Sequence, residues 1–278
     1  MRRKGLETKI ANSIEFLKRG EKLALQMNEE GYFLAFSGGK DSQVLLWLAQ
    51  QAGIKYKAYY SVTTNDPPAN VRFIRDNYPE VTFLHPKENF YKLVEKHGLP
   101  TMNKRFCCSI LKETAGIGRV TLVGVRRAES AKRQDYTDFA IVSKRKEHRD
   151  RVRTLDEVTA AEHQCIKGKD KILIRPMLEY TDADVWTIID NFNLPKNPCY
   201  GYTTRVGCMF CPFAPKRQIK RYEYLFPRVK AKIIASLAKY RQGKPYELSA
   251  EEYYKIWKSK CSVKNYKELQ KQQTIKFE

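Results

Sequence analysis

The sequence has no long hydrophobic run. Its 278 residues are 42% hydrophobic, yet no stretch of about 18 consecutive apolar residues occurs, so neither a transmembrane helix nor a membrane partner is expected. Residues 1–13 also lack the apolar core of a secretory signal peptide. We therefore expect a cytoplasmic protein. The length is sufficient for one large hydrophobic core, or for a core and a small second lobe.

Acidic residues are few. Asp and Glu number 31 against 52 Lys and Arg, which gives a formal net charge of +21. Such an excess can belong to a solvated basic surface, but a large positive field also attracts phosphates. A small-nucleotide site needs only a few local cations, so the remaining charge favours DNA or RNA as a partner.

Histidine is also scarce. The four histidines, His85, His97, His148 and His163, show no metal-ligand spacing. The seven cysteines are an odd number, and the chain is expected in a reducing compartment, so a disulfide scaffold is not predicted. Clustered thiols favour metal or redox chemistry instead, while Cys165 and Cys199 are interpreted as packing residues.

Strand-like and helix-like segments alternate along the chain. Strands are predicted at 32–36, 57–63, 81–84, 120–125 and 172–176, and helices within 1–30 and at 41–51, 69–78 and 90–97. This alternation predicts an α/β fold, a doubly wound parallel sheet with helices on both faces. Ligands of such sheets bind at the carboxyl ends of the strands.

Three regions are predicted: an N-terminal helix (1–30), an α/β domain (31–212), and a basic, mainly helical C-terminal extension (213–278). Over residues 126–171 the pattern weakens and the charge rises, and the runs 144–146 and 149–153 are too polar to pack. We therefore expect a segment that is mobile or ordered by a partner. Thr181 and Asp184 resemble a capping box that opens a helix. The residues that this helix is predicted to turn inward are Val185, Ile188, Ile189 and Phe192.

A glycine-rich loop follows the first predicted strand and leads into a helix. It reads Ser37-Gly38-Gly39-Lys40-Asp41-Ser42. The glycines allow a close backbone approach to an oxyanion, and the following helix adds free N–H groups and its positive dipole end. Lys40 adds a mobile cation, the serines add hydroxyl donors, and Asp41 orients donors or holds a metal ion. A plain tight turn is the alternative, which the strand–turn–helix context disfavours.

This hexapeptide resembles the PP-loop of the adenine-nucleotide α-hydrolase superfamily, and the Walker spacing is absent. The resemblance implies an enzyme that binds ATP with Mg²⁺ and cleaves it between the α and β phosphates. A substrate oxygen is adenylated, and a nucleophile such as sulfide or an amine then attacks. It implies nucleotide binding by the six loop residues and by Thr63, at the end of the next strand, with Lys40 and Asp41 in catalytic roles.

Two cysteine pairs stand far apart in the chain, Cys107-Cys108 and Cys208-x-x-Cys211. Two thiolate pairs can hold zinc or an iron–sulfur cluster, although an adjacent pair is an awkward chelate for tetrahedral zinc. Four unrelated buried thiols are the third interpretation. The neighbouring cations Lys104 and Arg105 are expected to lower the thiol pKa values.

The cysteine pattern resembles that of the adenylylsulfate and phosphoadenylylsulfate reductases, which implies a 4Fe–4S cluster bound by all four cysteines. The segment 124–130 with Arg133 is similar to this family's G-x-R-x-x-E-S segment beside the substrate phosphates. That similarity implies nucleotide binding by Gly124, Arg126 and Arg133, and catalytic roles for Arg126 and Glu129. The likeness spans about residues 31–212.

The chain departs from the reductases in two ways. It lacks their E-C-G-x-H motif, since the only late cysteine is Cys261 in a Lys-Cys-Ser-Val context. It also keeps an intact loop, which is usually degenerate in the reductases because they do not cleave ATP. Both departures favour an ATP-using relative, and the combination resembles the sulfur-activating subunits of DNA phosphorothioation systems.

Three functions are therefore open. The first is an ATP-pyrophosphatase-type sulfurtransferase acting on nucleic acid, supplied by a cysteine desulfurase or another sulfur donor. The second is a reductase of adenylylsulfate or phosphoadenylylsulfate with a thioredoxin-like electron donor. The third is a nucleic-acid-binding accessory protein with a vestigial nucleotide site. The residues expected to bring a polyanion toward the cysteines are Lys216, Arg217, Lys220 and Arg221.

Overall fold

The computed structural model describes residues 2–142, 155, 170–243, 247–261 and 265–266, without the side chains of 2–4 and 132. The longer helices are α1 (Arg2–Met27), α2 (Lys40–Ala52), α3 (Pro68–Asn77), α4 (Phe90–His97), α5 (Asp182–Asn191), α6 (Lys216–Leu225), α7 (Pro227–Arg241) and α8 (Ala250–Ser259). A helical turn, Phe106–Cys108, continues into a π-helical segment, Ser109–Glu113. Short 3₁₀ turns are formed by Arg127–Glu129, Ala131–Arg133 and Pro198–Gly201. Within these described ranges, no helix has the length and apolarity needed to cross a membrane.

The described strands form one sheet of six. They are β1 (Tyr32–Ala35), β2 (Tyr56–Ser61), β3 (Thr82–Leu84), β4 (Val120–Leu122), β5 (Phe139–Val142) and β6 (Lys171–Ile174). The order across the sheet is β3-β2-β1-β4-β6-β5, and every pairing is parallel except that of β5 with β6. The predicted α/β fold with a doubly wound sheet is confirmed, with one antiparallel strand added at an edge.

The strand order reverses between β1 and β4. The chain moves outward from β1 through β2 to β3 on one side, and β4 pairs with β1 on the other side. Open α/β sheets bind ligands at such a switch point, outside the carboxyl ends of the strands. The loop 37–42 directly follows β1, and the segment that begins at Gly124 follows β4, so both lie at the switch point.

The helix that follows the loop is almost entirely buried. Val44, Leu45 and Leu48 of α2 are fully excluded from solvent, and the helix packs against α1 and α5. It ends at Gly53 in the left-handed conformation (φ 63°), which glycine adopts without steric cost. On the other side of the loop, β1 is anchored by the Tyr32 hydroxyl, which donates to Leu17 O at 2.8 Å. The loop is therefore held between two buried elements.

The chain divides into two compact units. The first consists of Met1–Ser61, Pro68–His85 and Glu113–Gly207, and it contains the whole sheet. The second consists of Val62–Pro67, Pro86–Lys112 and Cys208–Glu278. In the second unit, α7 packs on α4, α6 and α8, which forms a helical layer. The predicted helical C-terminal extension is confirmed, whereas the boundaries predicted at residues 30 and 212 stay a prediction.

Two details of the sequence interpretation were wrong. The segment 126–171 was expected to be mobile or ordered by a partner, but it contains β5, whose four residues are apolar and whose Phe139 is fully buried. Residues 143–154 and 156–169 of that segment lie outside the described residues. Phe192 follows the last turn of α5 and remains 49% exposed, since it caps the helix and rests against the Trp47 ring instead of entering the core. The capping box of Thr181 and Asp184 is confirmed.

Candidate functional site

The backbone of the loop 37–42 depends on one glycine. Gly38 has φ +74°, and a Cβ at this position would stand 2.5 Å from Asn70 Oδ1 and 2.8 Å from Ile74 Cγ1. Gly39 differs, because it has an extended conformation (φ −81°, ψ 158°) and an added Cβ would meet its neighbours no closer than 3.5 Å. Gly38 is therefore the position that requires glycine, for both conformation and space.

Side-chain amides hold the loop by hydrogen bonds to its backbone carbonyl groups. Asn197 Nδ2 donates to Gly38 O at 2.8 Å and to Asn70 Oδ1 at 2.7 Å. Asn70 Nδ2 in turn donates to Ser37 O at 3.2 Å, and Gln43 Nε2 donates to Gly38 O at 3.2 Å. The carbonyl oxygens of the loop are thus directed toward the protein, which leaves its other face for N–H groups and cations.

The two loop serines bond within the loop. Ser42 Oγ donates to Gly39 O at 2.9 Å and accepts from the Ser37 N–H at 3.1 Å. The Ser37 hydroxyl lies 3.1 Å from the same Ser42 Oγ. The serines therefore fix the turn in this state, and their direct contact with an anion stays a prediction.

A tyrosine hydroxyl accepts a hydrogen bond from the first N–H of α2. Tyr200 OH accepts from the Lys40 N–H at 2.8 Å, at the positive end of the helix. Burial raises the pKa of the Tyr200 hydroxyl, so the group is neutral at physiological pH. Tyr200 belongs to the Pro198–Gly201 turn, and its ring packs edge-on against Trp186. The hydroxyl stands where a phosphate oxygen would be expected to bind.

Four charged side chains close around the start of α2. Lys40 Nζ lies 3.2 Å from Asp41 Oδ2 and 3.0 Å from Asp182 Oδ1. Arg126 Nε lies 2.6 Å from Asp41 Oδ1, and Arg126 Nη2 lies 3.0 Å from Asp182 Oδ1. Burial would raise the pKa of Asp182, but the hydrogen bonds from Lys40 and Arg126 hold it below its ordinary value. We call this group the charge ring.

The charge ring corrects one expectation about Lys40. Its residue is only 8% exposed and its amine is held by two carboxylates, so it is not a freely mobile cation. The guanidinium of Arg126 is also buried, since that residue is 2% exposed. The ring contains two cations and two carboxylates, and an arriving anion can therefore exchange partners with the carboxylates without creating an unpaired buried charge.

The segment after β4 contributes to the same place. A Cβ on Gly124 would stand 2.9 Å from Asp41 O, so glycine allows the two backbones to meet. Glu129 Oε2 accepts from the Arg126 N–H at 3.2 Å, and Glu129 is ion-paired with Arg133. Burial, followed by repulsion from Arg205, lowers the pKa of Arg133. Guanidinium groups gathered in this way favour a bound anion.

The four predicted cysteines belong to the second unit. Cys107 and Cys108 form the helical turn that precedes the π-helical segment, and Cys208 and Cys211 begin the C-terminal part of the unit. A hydrogen bond with Cys108 raises the pKa of the Cys107 thiol, and burial and the sulfurs of Cys208 and Cys211 raise it further. Burial also raises the pKa of Cys211. The four sulfurs thus share one electrostatic environment.

One cation lies beside these thiols. Lys112 is exposed to solvent, and the sulfur of Cys208 raises its pKa, with Asp66 acting in the same direction. The expectation that Lys104 and Arg105 lower the thiol pKa values was wrong for Cys107 and Cys211. Both cations are exposed and screened by water. Among the described residues, no three His, Cys, Asp or Glu side chains are grouped closely enough to hold a single metal ion.

Thr63 is found beside the cysteines. Cys208 Sγ lies 3.4 Å from Thr63 Oγ1, and the Thr63 N–H donates to Asp66 Oδ2 at 2.7 Å. The same loop is joined to the second cysteine pair by Met209, whose N–H donates to Asn65 O at 2.7 Å. A nucleotide-binding role for Thr63 stays a prediction.

The remaining predicted residues have simpler positions. Cys199 is buried in the first unit, where it accepts from Tyr202 OH at 3.0 Å, and Cys165 lies outside the described residues. Of the histidines, His148 and His163 also lie outside them. The predicted polyanion-binding residues Lys216, Arg217, Lys220 and Arg221 are all exposed on α6.

Sequence reasoning missed several residues of both sites. Asp182 lies inside the predicted capping box, where an acidic residue is already explained by the helix N-terminus. Lys112 stands four residues after Cys108, a helical spacing that could have identified it. Asn70, Asn197 and Tyr200 are isolated polar residues in the sequence, and only the fold brings them to the loop.

The family of the chain follows from residues 31–214, which match the model of the phosphoadenosine phosphosulfate reductase domain. This range includes the loop, the charge ring and all four cysteines. The chain belongs to this family. The predicted family resemblance is confirmed.

Similar proteins extend the comparison. An uncharacterised protein of Methanocaldococcus jannaschii is 28% identical over 70% of this chain and 44% of its own length. This chain therefore spans less than half of that relative. An adenosine 5′-phosphosulfate reductase of Bacillus mycoides is 25% identical over 74% of this chain and 86% of its own length. A solved phosphoadenylyl-sulfate reductase from Candida auris is 17% identical, with a TM-score of 0.42 over 73% of this chain and 93% of its own.

Replacing Tyr200 by phenylalanine is expected to tighten ATP binding. The free protein would lose the hydrogen bond to the Lys40 N–H, at a cost of about 1 kcal/mol in the free energy of unfolding. A phosphate oxygen would then meet an unpaired donor, so affinity measured by calorimetry should rise by about three- to tenfold. Tyr202→Phe is the matched control, since its hydroxyl bonds to Cys199. Weaker ATP binding by Tyr200→Phe would instead make the hydroxyl a ligand contact.

Proposed function

We propose that this protein is an ATP-pyrophosphatase-type sulfurtransferase that acts on nucleic acid. The charge ring carries the proposal: Lys40 and Arg126 meet Asp41 and Asp182 at the start of α2. Two buried cations beside a glycine-rich loop and a helix N-terminus suit a polyphosphate.

The proposed reaction begins with the nucleotide. The loop N–H groups, Lys40 and Arg126 would bind the phosphates of ATP, and the carboxylates of Asp41 and Asp182 would be released to hold Mg²⁺. A substrate oxygen attacks the α phosphorus, the bond to the β phosphate breaks, and pyrophosphate leaves. A sulfur nucleophile then displaces AMP from the adenylated substrate. Lys40 and Arg126 stabilise the charge that develops on the transferred phosphate.

Arg133 and Glu129 are assigned to the same site. The Arg133 guanidinium, whose pKa is lowered by burial and by Arg205, gains an anion partner when the nucleotide binds. Glu129 accepts from the Arg126 N–H and pairs with Arg133, so it would orient both guanidinium groups. We therefore treat Glu129 as a positioning residue of the proposed reaction.

The cysteine site fits a 4Fe–4S cluster. Its donor set is four cysteine sulfurs, and these share one environment with the cation of Lys112. Cys107, Cys108, Cys208 and Cys211 would each bind a different iron, so they need not converge on one ion. A bound cluster would supply electrons or hold a sulfur atom for transfer. Lys112 would offset the negative charge of the four thiolates.

Nucleic acid is the proposed acceptor because of charge. The formal net charge is +21, and α6 exposes four basic residues immediately after the second cysteine pair. A small sulfonucleotide would not need this surface.

A second candidate function is the reduction of adenylylsulfate or phosphoadenylylsulfate to sulfite. It is favoured by the Bacillus mycoides relative, which is named as an adenosine 5′-phosphosulfate reductase. That reaction requires a thiolate that attacks sulfur, and Cys261 is the late cysteine available. Its cationic neighbours are engaged elsewhere, because Lys258 pairs with Glu223 and Lys260 donates to Pro212 O and Ala214 O. We therefore do not assign Cys261 as the nucleophile.

The two candidates are separated by their products. Anaerobically purified protein that is supplied with nucleic acid is expected to catalyse ATP–pyrophosphate exchange, and Cys261→Ser is expected to retain the wild-type rate. In parallel, adenylylsulfate and thioredoxin are supplied, and sulfite is measured. Sulfite production that disappears in Cys261→Ser, without exchange from ATP, would establish the reductase and contradict the proposed function.

A further inference from the structure

The helix α6 has two chemically different faces. Its inward face contains Ile219 and Tyr222, which are buried. The Tyr222 ring lies 5.9 Å from the ring of Phe210, the residue directly before Cys211. The outward face exposes Lys216, Arg217, Lys220 and Arg221. Helix α6 thus contacts the residue before Cys211 on one side and presents cations to solvent on the other.

An aromatic side chain stands among these cations. Tyr224 is 86% exposed. Such exposure is unusual, because large aromatic rings are mostly covered by other side chains. It follows Lys220 by four residues and Arg221 by three, so the three side chains share one side of the helix. We name the exposed surface formed by Lys216, Arg217, Lys220, Arg221 and Tyr224 the Tyr224 face.

The one acidic residue of α6 is directed away from this face. Glu223 is paired with Lys258 at 3.0 Å and with Lys230 at 3.5 Å, and its side chain is mostly buried. The outer surface of the helix therefore presents four basic side chains and no acidic one. A second aromatic side chain, Phe213, is half exposed just before α6 and lies 5.5 Å from the guanidinium of Arg105.

We propose that the Tyr224 face binds single-stranded nucleic acid, with an unpaired base stacked on Tyr224 and the flanking phosphates at the four cations. Proteins bind single strands through aromatic and cationic side chains placed side by side. Each base has a flat face that can stack on an aromatic ring, and each phosphodiester linkage has a negative charge that pairs with a cation. A duplex hides its base faces, and a lipid surface has none. The inference rests on the proposed function, and it specifies the acceptor as an unpaired segment held beside the cysteine site.

The binding test uses the full-length protein and fluorescein-labelled oligonucleotides of mixed sequence, single-stranded and duplex, followed by fluorescence anisotropy. Wild-type protein is expected to prefer the single strand. Tyr224→Ala should weaken single-strand binding by about tenfold, the effect of losing one stacked base, while Tyr224→Trp retains it. Leu225→Ala is the matched control on the same helix, since it removes an exposed side chain (40% exposed) that cannot stack.

The charge test uses salt. Arg217→Gln and Lys220→Gln should each reduce the slope of log affinity against log salt by about 0.7, the value for one phosphate of a single strand. Lys239→Gln, on α7 and paired with Glu95, is the control that should leave the slope unchanged. Equal affinity for duplex and single strand, with no effect of Tyr224→Ala, would overturn the proposal. Binding to phosphatidylserine vesicles without binding to oligonucleotides would also overturn it.

Pyrophosphate release from ATP, measured with the oligonucleotide at saturating concentration, distinguishes this inference from the proposed function. Tyr224→Ala is expected to release pyrophosphate at the wild-type rate once it is saturated, because the residue lies outside the nucleotide site. Oligonucleotide-dependent pyrophosphate release, with oligonucleotide affinity unchanged in Tyr224→Ala, would refute the Tyr224 face alone. Tyr224-dependent oligonucleotide binding by a wild-type protein that releases no pyrophosphate would refute the proposed adenylation and leave the face in place.

Discussion

Replacing Gly38 by alanine is expected to abolish ATP binding. The residue has φ +74°, a conformation that costs alanine about 1–2 kcal/mol. The new Cβ would stand 2.5 Å from Asn70 Oδ1, so Asn70 would have to move. Its hydrogen bonds with Asn197 and Ser37 O would then break, and these hold the loop carbonyls away from the phosphates. Calorimetric titration with ATP should show no measurable binding.

Gly39→Ala is the matched control for that experiment. It changes the adjacent glycine by the same methyl group, but φ is −81° and the nearest contacts of the added Cβ are ordinary ones of 3.5 Å. The loop should keep its conformation, and thermal unfolding should match that of the wild type. ATP binding by Gly38→Ala at wild-type affinity would remove the loop as the nucleotide site. A loss of equal size in both variants would show that any side chain in the loop blocks the phosphates.

Replacing Cys208 by serine is expected to remove the iron–sulfur cluster. Anaerobically isolated wild-type protein should be brown and contain iron and acid-labile sulfide. Serine is a poor ligand for iron in such clusters, and the loss of one thiolate leaves an incomplete donor set. The variant should be colourless, with iron and sulfide reduced to background. Lys112 interacts with the sulfur of Cys208, but this cation is exposed to solvent, so only a small loss of stability is expected from losing the contact.

Two other cysteines provide controls. Cys199 is buried in the first unit beside Tyr202, and Cys261 follows α8 in the second. Serine at either position is expected to leave the iron and sulfide content unchanged. Stoichiometric zinc without sulfide in the wild-type protein would replace the cluster by a zinc site. Full cluster content in Cys208→Ser would exclude Cys208 as a ligand.

The cysteine site shows which features could be predicted from the sequence. The two pairs are tight in sequence, so the pattern alone predicted a shared site. Whether residues so far apart meet depends on the chain path, and the structure collects both pairs in the second unit. The effect of the neighbouring charges was predicted from sequence distance and was wrong. Lys104 and Arg105 are adjacent in the sequence, but the other sulfurs and burial raise the pKa of Cys107, and Lys112 is the cation that interacts with Cys208.

The nucleotide loop shows the same division. Local chemistry was sufficient to predict the turn, because a strand, two glycines and an amphipathic helix are adjacent in the sequence. It did not separate Gly38 from Gly39, since only the packing of Asn70 and Ile74 distinguishes them. Nor did it predict Tyr200, which reaches the loop from a turn far along the chain.

The sequence by itself determined the order of the strands and helices apart from β5, the turn at the loop, the capping box and the residue types available for chemistry. These features depend on neighbours within a few residues, through hydrophobic periodicity, glycine conformations and short-range hydrogen bonds. Only the tertiary structure decided which distant groups meet. It placed β5 antiparallel at the sheet edge, closed the charge ring with Asp182 and brought Lys112 beside the thiols. Such contacts depend on the packing of the whole core, because burial sets both the distance and the strength of each interaction.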